Sequence, residues 1–549
     1  MDDSQEPSQR PSQGPKEVPK EVLKEGSKEV LKEVLKEASN EALRETLSYK
    51  EQCATHKKKV HKCKNFQYSC TENKSFGTSN EQNSTKSSIK LQENSHHNTD
   101  QLIASKKTLE QIKISELLSE LSLKPAKKQM SDFKFWNTQP VSSFDEKITK
   151  EGPIDDSKDL EKVSKEPYLL LKEFEWTVLD LDDEKELTEL YQLLTENYVE
   201  DDDSMFRFHY STSFLTWAMK PPGFHKNWHV GVRVTSSQKL VAFISGIPIS
   251  LRVRDNIISC SEINFLCIHK KLRSKRLAPI LIKEITRRCN LLGIWQAIYT
   301  AGIILPSPIS SCQYYHRSLN WQKLYNIGFS CLPRDSTIAR QIQKFKLPQE
   351  TSTPGLRPAA IDDLEQISKL LKCFLNKFDL SQIFSDDEMR HWFIPNEKEN
   401  DDERTLFSYV VEDPSTGKIT DFFSFYSLPS SIISDTKYKT LKAAYLFYYA
   451  LECGVKKDMN QIEFKTYVNR LNFLMKDCLI IAKNFNFDVF NALTLMDNPF
   501  FLANQKFGPG DGKLNYYLFN YRAKYINPGI TETGELDVKN ASSIGVVML

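Results

Sequence analysis

The stretch "EINFLCIHKKLRSKRLAPILIKEITRR", residues 262–288, places an apolar segment, a basic cluster and an amphipathic pattern in direct succession. This order predicts a β-strand, a cationic loop and an α-helix. The first turn of a helix presents unpaired N–H groups and the positive end of the helix dipole, and both attract phosphate. Five basic side chains add charge there: Lys270, Lys271, Arg273, Lys275 and Arg276. The stretch therefore predicts an anion-binding turn, whereas a charge run taken alone is usually a solvated surface.

The helix that should follow the loop has one apolar stripe. The stripe consists of Leu277, Ile280, Leu281, Ile285 and Arg288. The side chains of Lys283, Glu284 and Arg287 fall on the other side of the helix. We expect the stripe to pack against another element while the N-terminus of the helix points at an anion.

The composition is typical of a soluble globular protein with a polar appendage. The chain has 549 residues, 27% charged and 40% hydrophobic, which allows two or three domains, and a net charge of +2 that indicates no particular partner. Eleven cysteines without a CxxC pair predict free thiols in a reducing compartment, hence the cytoplasm. We expect no membrane span, because no apolar run approaches the roughly 20 residues that one needs, and no secretory signal.

The first 130 residues differ in kind from the rest. They are rich in Lys, Glu, Ser and Asn and poor in aromatic residues, which predicts a disordered low-complexity arm over residues 1–130. The basic cluster "HKKKVHKCK" (56–64) could hold a phosphate backbone without sequence preference. A zinc site would have to use Cys53, His56, His61 and Cys63. Their spacing fits no common structural zinc site, so we expect no metal.

From Trp176 onward, short β-like runs alternate with helical patterns, which predicts a mixed α/β fold. The Pro, Gly and Thr-rich junction "LPQETSTPGLRP" (347–358) interrupts this alternation, and a similar pattern restarts after it. The chain therefore predicts two α/β halves of similar size, residues 131–350 and 351–549.

Two segments of this region resemble the two sequence signatures of the N-myristoyltransferase family. "EINFLCIHK" (262–270) is similar to one at every position, and "KFGPGDG" (506–512) matches the other. Further stretches occur in family order, including "DFKFWNTQPV" (132–141), "YVEDDDSMFRF" (198–208) and the terminal "GVVML" (545–549). Motif matches of this length rarely arise by chance, and together they extend over roughly residues 131–549.

The resemblance implies two GNAT-type acyltransferase halves fused in pseudo-symmetry, the first with the acyl-CoA site and the second with the peptide groove. It implies a glycylpeptide N-tetradecanoyltransferase, which moves a myristoyl group from myristoyl-CoA to the N-terminal glycine amine of target proteins by direct addition and elimination. The implied enzyme is a cytoplasmic monomer without a metal. Its partners would be proteins that expose Gly after Met removal and, through the basic arm, ribosomes.

The implied acyl-CoA site draws on three segments. Its residues are Lys134, Phe135, Trp136, Phe265, Leu266, Cys267, Ile268, Ser274, Lys275, Arg276, Leu277 and Ala278. Among them, Phe265 and Leu266 would offer backbone N–H groups to the thioester oxygen as an oxyanion hole. By side chain alone, both residues look like ordinary strand core.

The implied peptide groove draws mainly on aromatic and polar residues. They are Asp201, Asp203, Phe206, Phe208, Tyr210, Asn264, Thr300, Tyr314, His316, Ser424, Tyr445, Asn491, Asp511 and Gly512. The carboxylate of Leu549 would act as the base that faces the glycine amine. Simpler interpretations stay open: acidic runs are usually solvated, His316 and Tyr314 could be satisfied interior residues, and an apolar terminus could merely fill the core. His209 departs from the small or acidic residue expected in the family.

Three alternatives accompany this hypothesis. Cys267 and His269 share a strand face, so a thiol could accept the acyl group, although direct attack by the amine needs no acyl-enzyme. The chain could be a GNAT-type acetyltransferase that uses acetyl-CoA. It could also be a noncatalytic ribosome or RNA tether, in which case deletion of residues 1–130 should abolish its function.

Overall fold

The computed structural model describes residues 129–157, 159–199, 205–396, 404–433 and 437–549. The predicted arm lies outside the described residues except for its last two positions. The basic cluster at 56–64 and the zinc candidates Cys53, His56, His61 and Cys63 lie outside them as well. Everything below concerns the described part of the chain.

Helices and strands alternate along the described residues. The α-helices are α1 (Glu184–Asn197), α2 (Thr212–Met219), α3 (Leu277–Asn290), α4 (Trp321–Asn326), α5 (Ile338–Phe345), α6 (Leu364–Leu375), α7 (Asp386–Phe393) and α8 (Gln461–Asn484). The strands are β1 (Gly152–Pro153), β2 (Phe174–Val178), β3 (Phe206–Phe208), β4 (His229–Val234), β5 (Leu240–Val253), β6 (Asn256–Ile268), β7 (Gln296–Ala301), β8 (Ser310–Ser318), β9 (Leu356–Pro358), β10 (Leu380–Ile383), β11 (Leu406–Asp413), β12 (Lys418–Ser427), β13 (Ser430–Ile432), β14 (Thr440–Leu441), β15 (Ala443–Leu451), β16 (Val489–Leu493), β17 (Gly508–Phe519), β18 (Tyr521–Arg522) and β19 (Ile544–Gly545).

One sheet of 14 strands dominates the fold. Its main path runs β19-β10-β5-β6-β7-β17-β8-β16-β15-β12-β11-β9, and β4 and β2 extend it from β5. Most neighbours are antiparallel, but three pairs are parallel: β6 with β7, β15 with β16, and β10 with β19. The prediction of a mixed α/β fold is confirmed. No helix within the described residues combines the length and apolarity needed to cross a membrane.

The sheet contains an internal repeat. In the first half, antiparallel strands lead to β6, α3 and the parallel strand β7; in the second half, β15, α8 and β16 repeat this unit. Beyond each parallel pair lies a strand from the other half: β17 pairs with β7, and β8 pairs with β16. The exchanged strands β8 and β17 pair with each other at the centre. The repeat agrees with the predicted restart, while the bounds of the two halves stay a prediction.

Helix α3 packs the middle of its predicted stripe, whereas Arg288, also predicted on the stripe, pairs with Glu284. Leu281 and Ile285 are fully buried in a cluster with the side chains of β4 and β5. The opposite side of the helix is also covered, because Glu284 is 0% exposed and forms ion pairs with Arg287 (2.6 Å) and Arg288 (2.8 Å). The backbone N–H of Tyr168 donates to the same carboxylate, so the chain before β2 covers this side.

The junction between the halves is anchored by a buried carboxylate. Asp477 of α8 is 0% exposed and accepts hydrogen bonds from the backbone N–H groups of Ser352 (3.0 Å) and Thr353 (2.8 Å). A buried charge needs such partners, and here they come from a segment rich in Pro, Gly and Thr. The predicted junction is therefore fixed to the helix of the second half.

Candidate functional site

The strand before the basic loop is interrupted by a β-bulge. Phe243 pairs with Cys267 and Ser245 pairs with Asn264, so two residues of β6, Phe265 and Leu266, face one residue of β5. Phe265 has a φ of 56°, in the left-handed region that bulky residues rarely adopt. Bulges leave the extra residue outside the ladder and often lie beside active sites. The predicted oxyanion residues therefore lie where backbone N–H groups can turn away from the neighbouring strand.

A second bulge occupies the corresponding place in the other half. On β15, two residues between Leu446 and Tyr449 face Ser424 of β12. The Ser424 hydroxyl donates to the carbonyl of Tyr448 (2.9 Å) and accepts from its N–H (3.2 Å). In the first half the matching residue is Ile244, which lies between the paired residues 243 and 245 and has no side-chain group for hydrogen bonding. The first bulge has a side-chain hydrogen bond only at its border, from the Ser245 hydroxyl to the Asn264 carbonyl (3.2 Å), whereas Ser424 binds across the second bulge and is 0% exposed.

Tyr198 lies directly against the first bulge. Its ring is 6.0 Å from that of Phe265 and 5.6 Å from that of Tyr210. Burial raises the pKa of the Tyr198 hydroxyl, and the neighbouring backbone N–H of Phe265 opposes this effect. The N–H of Phe265 therefore lies near an oxygen atom outside the β-ladder, as a donor of an oxyanion hole should.

The basic loop has the predicted position between β6 and α3. A short 3-10 turn over Lys270–Leu272 follows the strand, and Ser274 and Arg276 have φ values of 68° and 58°. Arg276 is the N-cap of α3, so its exposed side chain starts at the helix end that presents free N–H groups. The predicted order of strand, cationic loop and helix is confirmed.

An aromatic stack fixes the N-terminal segment of the predicted acyl-CoA site. Trp136 stacks on Tyr299 of β7 with centroids 5.5 Å apart, and Tyr299 stacks on Tyr517 of β17 at 5.0 Å. Because β17 belongs to the second half, both halves hold the segment that contains Lys134 and Phe135. Sequence reasoning missed Tyr299 and Tyr517, since alternating aromatic residues in strands resemble ordinary core.

The predicted groove residues near the bulge form one aromatic cluster. The Tyr210 ring lies 5.4 Å from Phe265 and 5.8 Å from Phe208, which in turn lies 6.3 Å from Tyr445. Phe206 points elsewhere, towards Phe329 at 5.7 Å. These contacts place most of the predicted aromatic groove beside the predicted oxyanion hole.

A polar row continues from this cluster across three strands. Tyr445, Asn491 and His316 lie opposite one another on β15, β16 and β8. His316 Nδ1 lies 2.7 Å from Asn491 Oδ1, and the ring is parallel to Tyr314 with centroids 6.5 Å apart. Burial lowers the pKa of His316, which favours the neutral ring with Nδ1–H as donor. Gly510 packs on the other ring nitrogen, because a Cβ there would lie 2.2 Å from Nε2.

The remaining groove predictions divide into three groups. Asp511 and Gly512 lie on β17, beside this row. Thr300 of β7 pairs with Tyr516 of β17. Asp201 and Asp203 lie outside the described residues, as does the rest of the acidic run. His209 is half-buried near the hydroxyl groups of Tyr191 (3.2 Å) and Ser431 (3.4 Å), and burial lowers its pKa.

Sequence reasoning also missed a buried carboxyl group on β6. Glu262 is 5% exposed, and its Oε1 accepts a hydrogen bond from Asn264 Nδ2 at 2.7 Å. Burial raises the pKa of Glu262 to about 7. The sequence contained a signal for this burial, because Glu262 shares a strand face with Cys260 and Asn264 in a predicted strand.

The terminal segment is buried and held by hydrogen bonds. The backbone N–H of Val547 donates to the Tyr448 hydroxyl (3.0 Å), and the Tyr516 hydroxyl donates to the carbonyl of Val546 (3.0 Å). Met548 is 4% exposed, and Leu549 is half-buried against the main core. Hydrogen bonds thus hold the backbone at Val546 and Val547, and Leu549 is held by packing against the core.

Cys267 lacks the environment of a nucleophile. Its thiol is buried and directed at the carbonyl of Leu193, and burial raises its pKa to about 12. The Nδ1 atom of His269 accepts a hydrogen bond from the backbone N–H of Lys271 at 3.3 Å, so this nitrogen is bound to the loop and not to the thiol. The thiolate is the reactive form of cysteine, and the raised pKa keeps Cys267 in the thiol form.

Comparison with known proteins agrees with this geometry. Residues 153–312 match the family model for the N-terminal domain of myristoyl-CoA:protein N-myristoyltransferase, and residues 326–547 match that for its C-terminal domain. A glycylpeptide N-tetradecanoyltransferase of Schizosaccharomyces pombe is 52% identical over 442 residues, covering 80% of this chain and 94% of that protein. The one from Emericella nidulans is 56% identical over 444 residues, covering 80% and 89%.

Solved structures give the same result. The crystal structure of Saccharomyces cerevisiae N-myristoyltransferase with bound myristoyl-CoA aligns with a TM-score of 0.75 and 52% identity. The alignment covers 77% of this chain and 100% of that chain. Together with the two family models, which span most of the described residues, these matches show that the chain belongs to the myristoyl-CoA:protein N-myristoyltransferase family.

Proposed function

We propose that this protein transfers a myristoyl group from myristoyl-CoA to the α-amine of an N-terminal glycine. The observation that carries the proposal is the bulge at Phe265 and Leu266, followed at once by the basic loop and the N-terminus of α3. Such an order places carbonyl-binding N–H groups next to a phosphate-binding turn. An acyl-CoA needs both, since its thioester and its pyrophosphate belong to one molecule.

The reaction proceeds as a direct addition and elimination. The neutral glycine amine attacks the thioester carbon, and the charge that develops on the carbonyl oxygen is stabilised by the N–H groups of Phe265 and Leu266. The attack forms the carbon–nitrogen bond; collapse of the tetrahedral intermediate then breaks the carbon–sulfur bond and releases CoA as its thiolate, and loss of a proton from the nitrogen leaves the amide. Each donor of this kind contributes about 2.7–4 kcal/mol in the transition state, so two account for a large part of catalysis.

The α-carboxylate of Leu549 accepts the proton that the amine loses. Support comes from the terminal segment, which Tyr448 and Tyr516 hold through hydrogen bonds to Val547 and Val546. A fixed chain keeps the terminal carboxylate in one position, and a general base must lie within hydrogen-bonding distance of the proton it accepts.

The acceptor peptide lies along the aromatic cluster and the polar row. Rings such as Phe208 and Tyr445 provide apolar contacts, and Asn491 and His316 provide polar ones. Glycine at the peptide N-terminus fits a site crowded by Tyr198, Tyr210 and Phe265. The acidic run at 200–203 would favour peptides with a downstream Lys.

Acyl-chain selection tests the proposal against the acetyltransferase alternative. Each buried CH₂ contributes about 0.8 kcal/mol, and a ligand that binds the folded state raises its stability. We therefore expect myristoyl-CoA to raise Tm far more than acetyl-CoA does, and only myristoyl-CoA to support rapid modification of a glycyl peptide. Equal stabilisation by both ligands together with rapid acetyl transfer would overturn the proposal.

Charge reversal at Arg276 should weaken acyl-CoA binding. The Arg276→Glu variant puts an anion where the pyrophosphate is proposed to bind, so we expect the Kd for CoA to rise about tenfold or more. Arg276→Gly is the matched control, because glycine tolerates the left-handed backbone and removes the positive side chain without adding a negative charge. Its Kd should lie between those of the parent and Arg276→Glu. Unchanged CoA binding by calorimetry in both variants would contradict the assignment.

Removal of the Cys267 thiol should leave catalysis intact. A buried thiol whose pKa is about 12 is not the nucleophile of a direct transfer. We expect Cys267→Ala to keep kcat within about threefold of the parent, with no acyl group trapped on the parent protein by rapid quench and mass spectrometry. A covalent acyl-enzyme at Cys267 would require a two-step mechanism instead.

The proposal places the reaction in the cytoplasm. Eight cysteines among the described residues are unpaired, which agrees with a reducing compartment. Attachment to ribosomes through residues 56–64 and a monomeric state belong to the same proposal. Sedimentation of the full chain with ribosomes in low and high salt tests the first, and size-exclusion chromatography with light scattering tests the second.

A further inference from the structure

The basic loop is tied to the end of a helix by one buried amide. Asn197 is the last residue of α1 and is 3% exposed. Its Nδ2 donates to the carbonyl of Leu193 at 3.0 Å, and its Oδ1 accepts the backbone N–H of Lys270 at 3.0 Å. The side chain thus joins the last turn of α1 to the first residue of the 3-10 turn.

The main chain of the same residue makes a second link. The guanidinium of Arg273 donates through Nη2 to the carbonyl oxygen of Asn197. A cation at the C-terminal end of a helix interacts favourably with the helix dipole. Arg273 is therefore directed at α1, although its side chain is exposed, as are those of Lys271, Lys275 and Arg276.

The loop needs such a fixed point because its backbone is unusual. Ser274 and Arg276 both have a positive φ, a conformation that non-glycine residues adopt only when the surroundings impose it. A loop that is ordered before binding loses less conformational freedom when the ligand arrives. Its anchor should then affect affinity for the ligand more than the chemical step.

We propose that Asn197 is a positioning residue of the acyl-CoA site, which fixes the phosphate-binding loop 270–276 to the end of α1. The inference rests on the proposed function, since it assumes that this loop binds the pyrophosphate of CoA. Asn197 itself touches no reacting atom. It acts through Lys270 and Arg273.

The test uses the full chain with Asn197→Leu, which keeps the branched shape of the side chain and removes both hydrogen bonds. The matched control is Asn290→Leu, because Asn290 is likewise the last residue of a helix, and with its amide O and N exchanged its nitrogen would donate to the carbonyls of Thr286 (3.2 Å) and Ile294 (2.9 Å). That end of α3 is the one away from the loop. Calorimetry gives the Kd for CoA, and steady-state kinetics give kcat and the KM for myristoyl-CoA.

We expect Asn197→Leu to raise the Kd for CoA and the KM for myristoyl-CoA about tenfold, with kcat at saturation within about twofold. Asn290→Leu should change the Kd less than about twofold even where its loss of Tm is similar. An unchanged Kd in Asn197→Leu, or an equal rise in both variants, overturns the inference. If the parent protein itself binds no CoA, the proposed function fails instead.

A second variant decides the matter if Asn197→Leu does not fold. Arg273→Lys keeps the positive charge of the loop but shortens the reach to the carbonyl of Asn197. We expect a rise of about threefold in the Kd for CoA without a change in kcat. An unchanged Kd in Arg273→Lys overturns the inference in that case.

Discussion

Extension of the chain beyond Leu549 by a few residues is expected to lower kcat about 10²- to 10⁴-fold, the range that a positioned general base contributes. The affinity for acyl-CoA should stay within about threefold, because the proposed acyl-CoA contacts lie on other segments. Removal of Leu549 should have a similar effect, since Met548 would then carry a carboxylate displaced along the chain. The measurement is a single-turnover rate at saturating acyl-CoA, together with the Kd for CoA.

The size of this effect depends on the proton affinities involved. Free carboxyl and α-amino groups differ by about 4 to 4.5 pKa units, or about 6 kcal/mol, so an exposed carboxylate is a poor acceptor for this proton. Burial raises the pKa of a carboxyl group and narrows the gap. About a tenth of an α-amine is already neutral near pH 7, so the carboxylate also holds and orients the ammonium form.

A conservative change at the same position provides the control. Leu549→Met keeps the terminal carboxylate and a side chain of similar volume, so its kcat should remain within about threefold of the parent. An extended variant that retains full kcat would show that the carboxylate is not the base. A large loss of kcat in Leu549→Met would point to packing of the terminal side chain instead.

Replacement of Glu262 by Gln should remove a pH dependence of stability. Burial raises the pKa of Glu262 from 4.5 to about 7 in the folded protein. Well below pH 4.5 the carboxyl group is protonated in both the folded and the unfolded protein, so its contribution to the free energy of unfolding is fully present. Between pH 4.5 and 7 the unfolded chain ionises while the folded protein keeps the proton, so the free energy of unfolding falls as the pH rises. The total loss is about 3 kcal/mol.

The Glu262→Gln variant keeps an oxygen that can accept from Asn264 Nδ2 and has no proton to lose. The free energy of unfolding of the parent, relative to that of this variant, should therefore drop by about 3 kcal/mol between pH 4.5 and 8. Urea unfolding at a series of pH values measures this difference. Parallel curves for the two proteins would show that Glu262 titrates normally in the folded state.

The segment 262–288 was predictable because local chemistry decides it. An apolar run, a basic loop and a helical stripe each have their own periodicity, and the structure ends β6 at Ile268 and begins α3 at Leu277. The burial of Glu284 was not predictable, because it depends on the distant Tyr168 backbone that covers the helix. Periodicity describes how residues face within one element, and it contains no information about a second layer.

In the candidate site, too, some features follow from local sequence and others depend on distant contacts. Family motifs led to Phe265 and Leu266, but their side chains are ordinary strand core, and the relevant feature is a bulge with a φ of 56°. Ser424 was predicted as a groove residue, and the structure shows its hydroxyl bonded to the Tyr448 backbone. The stack of Trp136, Tyr299 and Tyr517 depends on strand order, which no local pattern encodes.

The exchange of β8 and β17 has a consequence for how the chain folds during synthesis. The Ser311 side chain of β8 forms a hydrogen bond with Asn515 of β17, 204 positions away in the sequence. Strand β17 is also the neighbour of β7 on the side away from β6. Contacts of such long range form slowly, since a large loop must close first. Until residue 519 has been made, β7 presents an open edge with unpaired N–H and C=O groups, which is prone to aggregation. The first half therefore cannot complete its sheet ahead of the second, and a nascent chain of this protein must remain protected almost until its synthesis has passed β17.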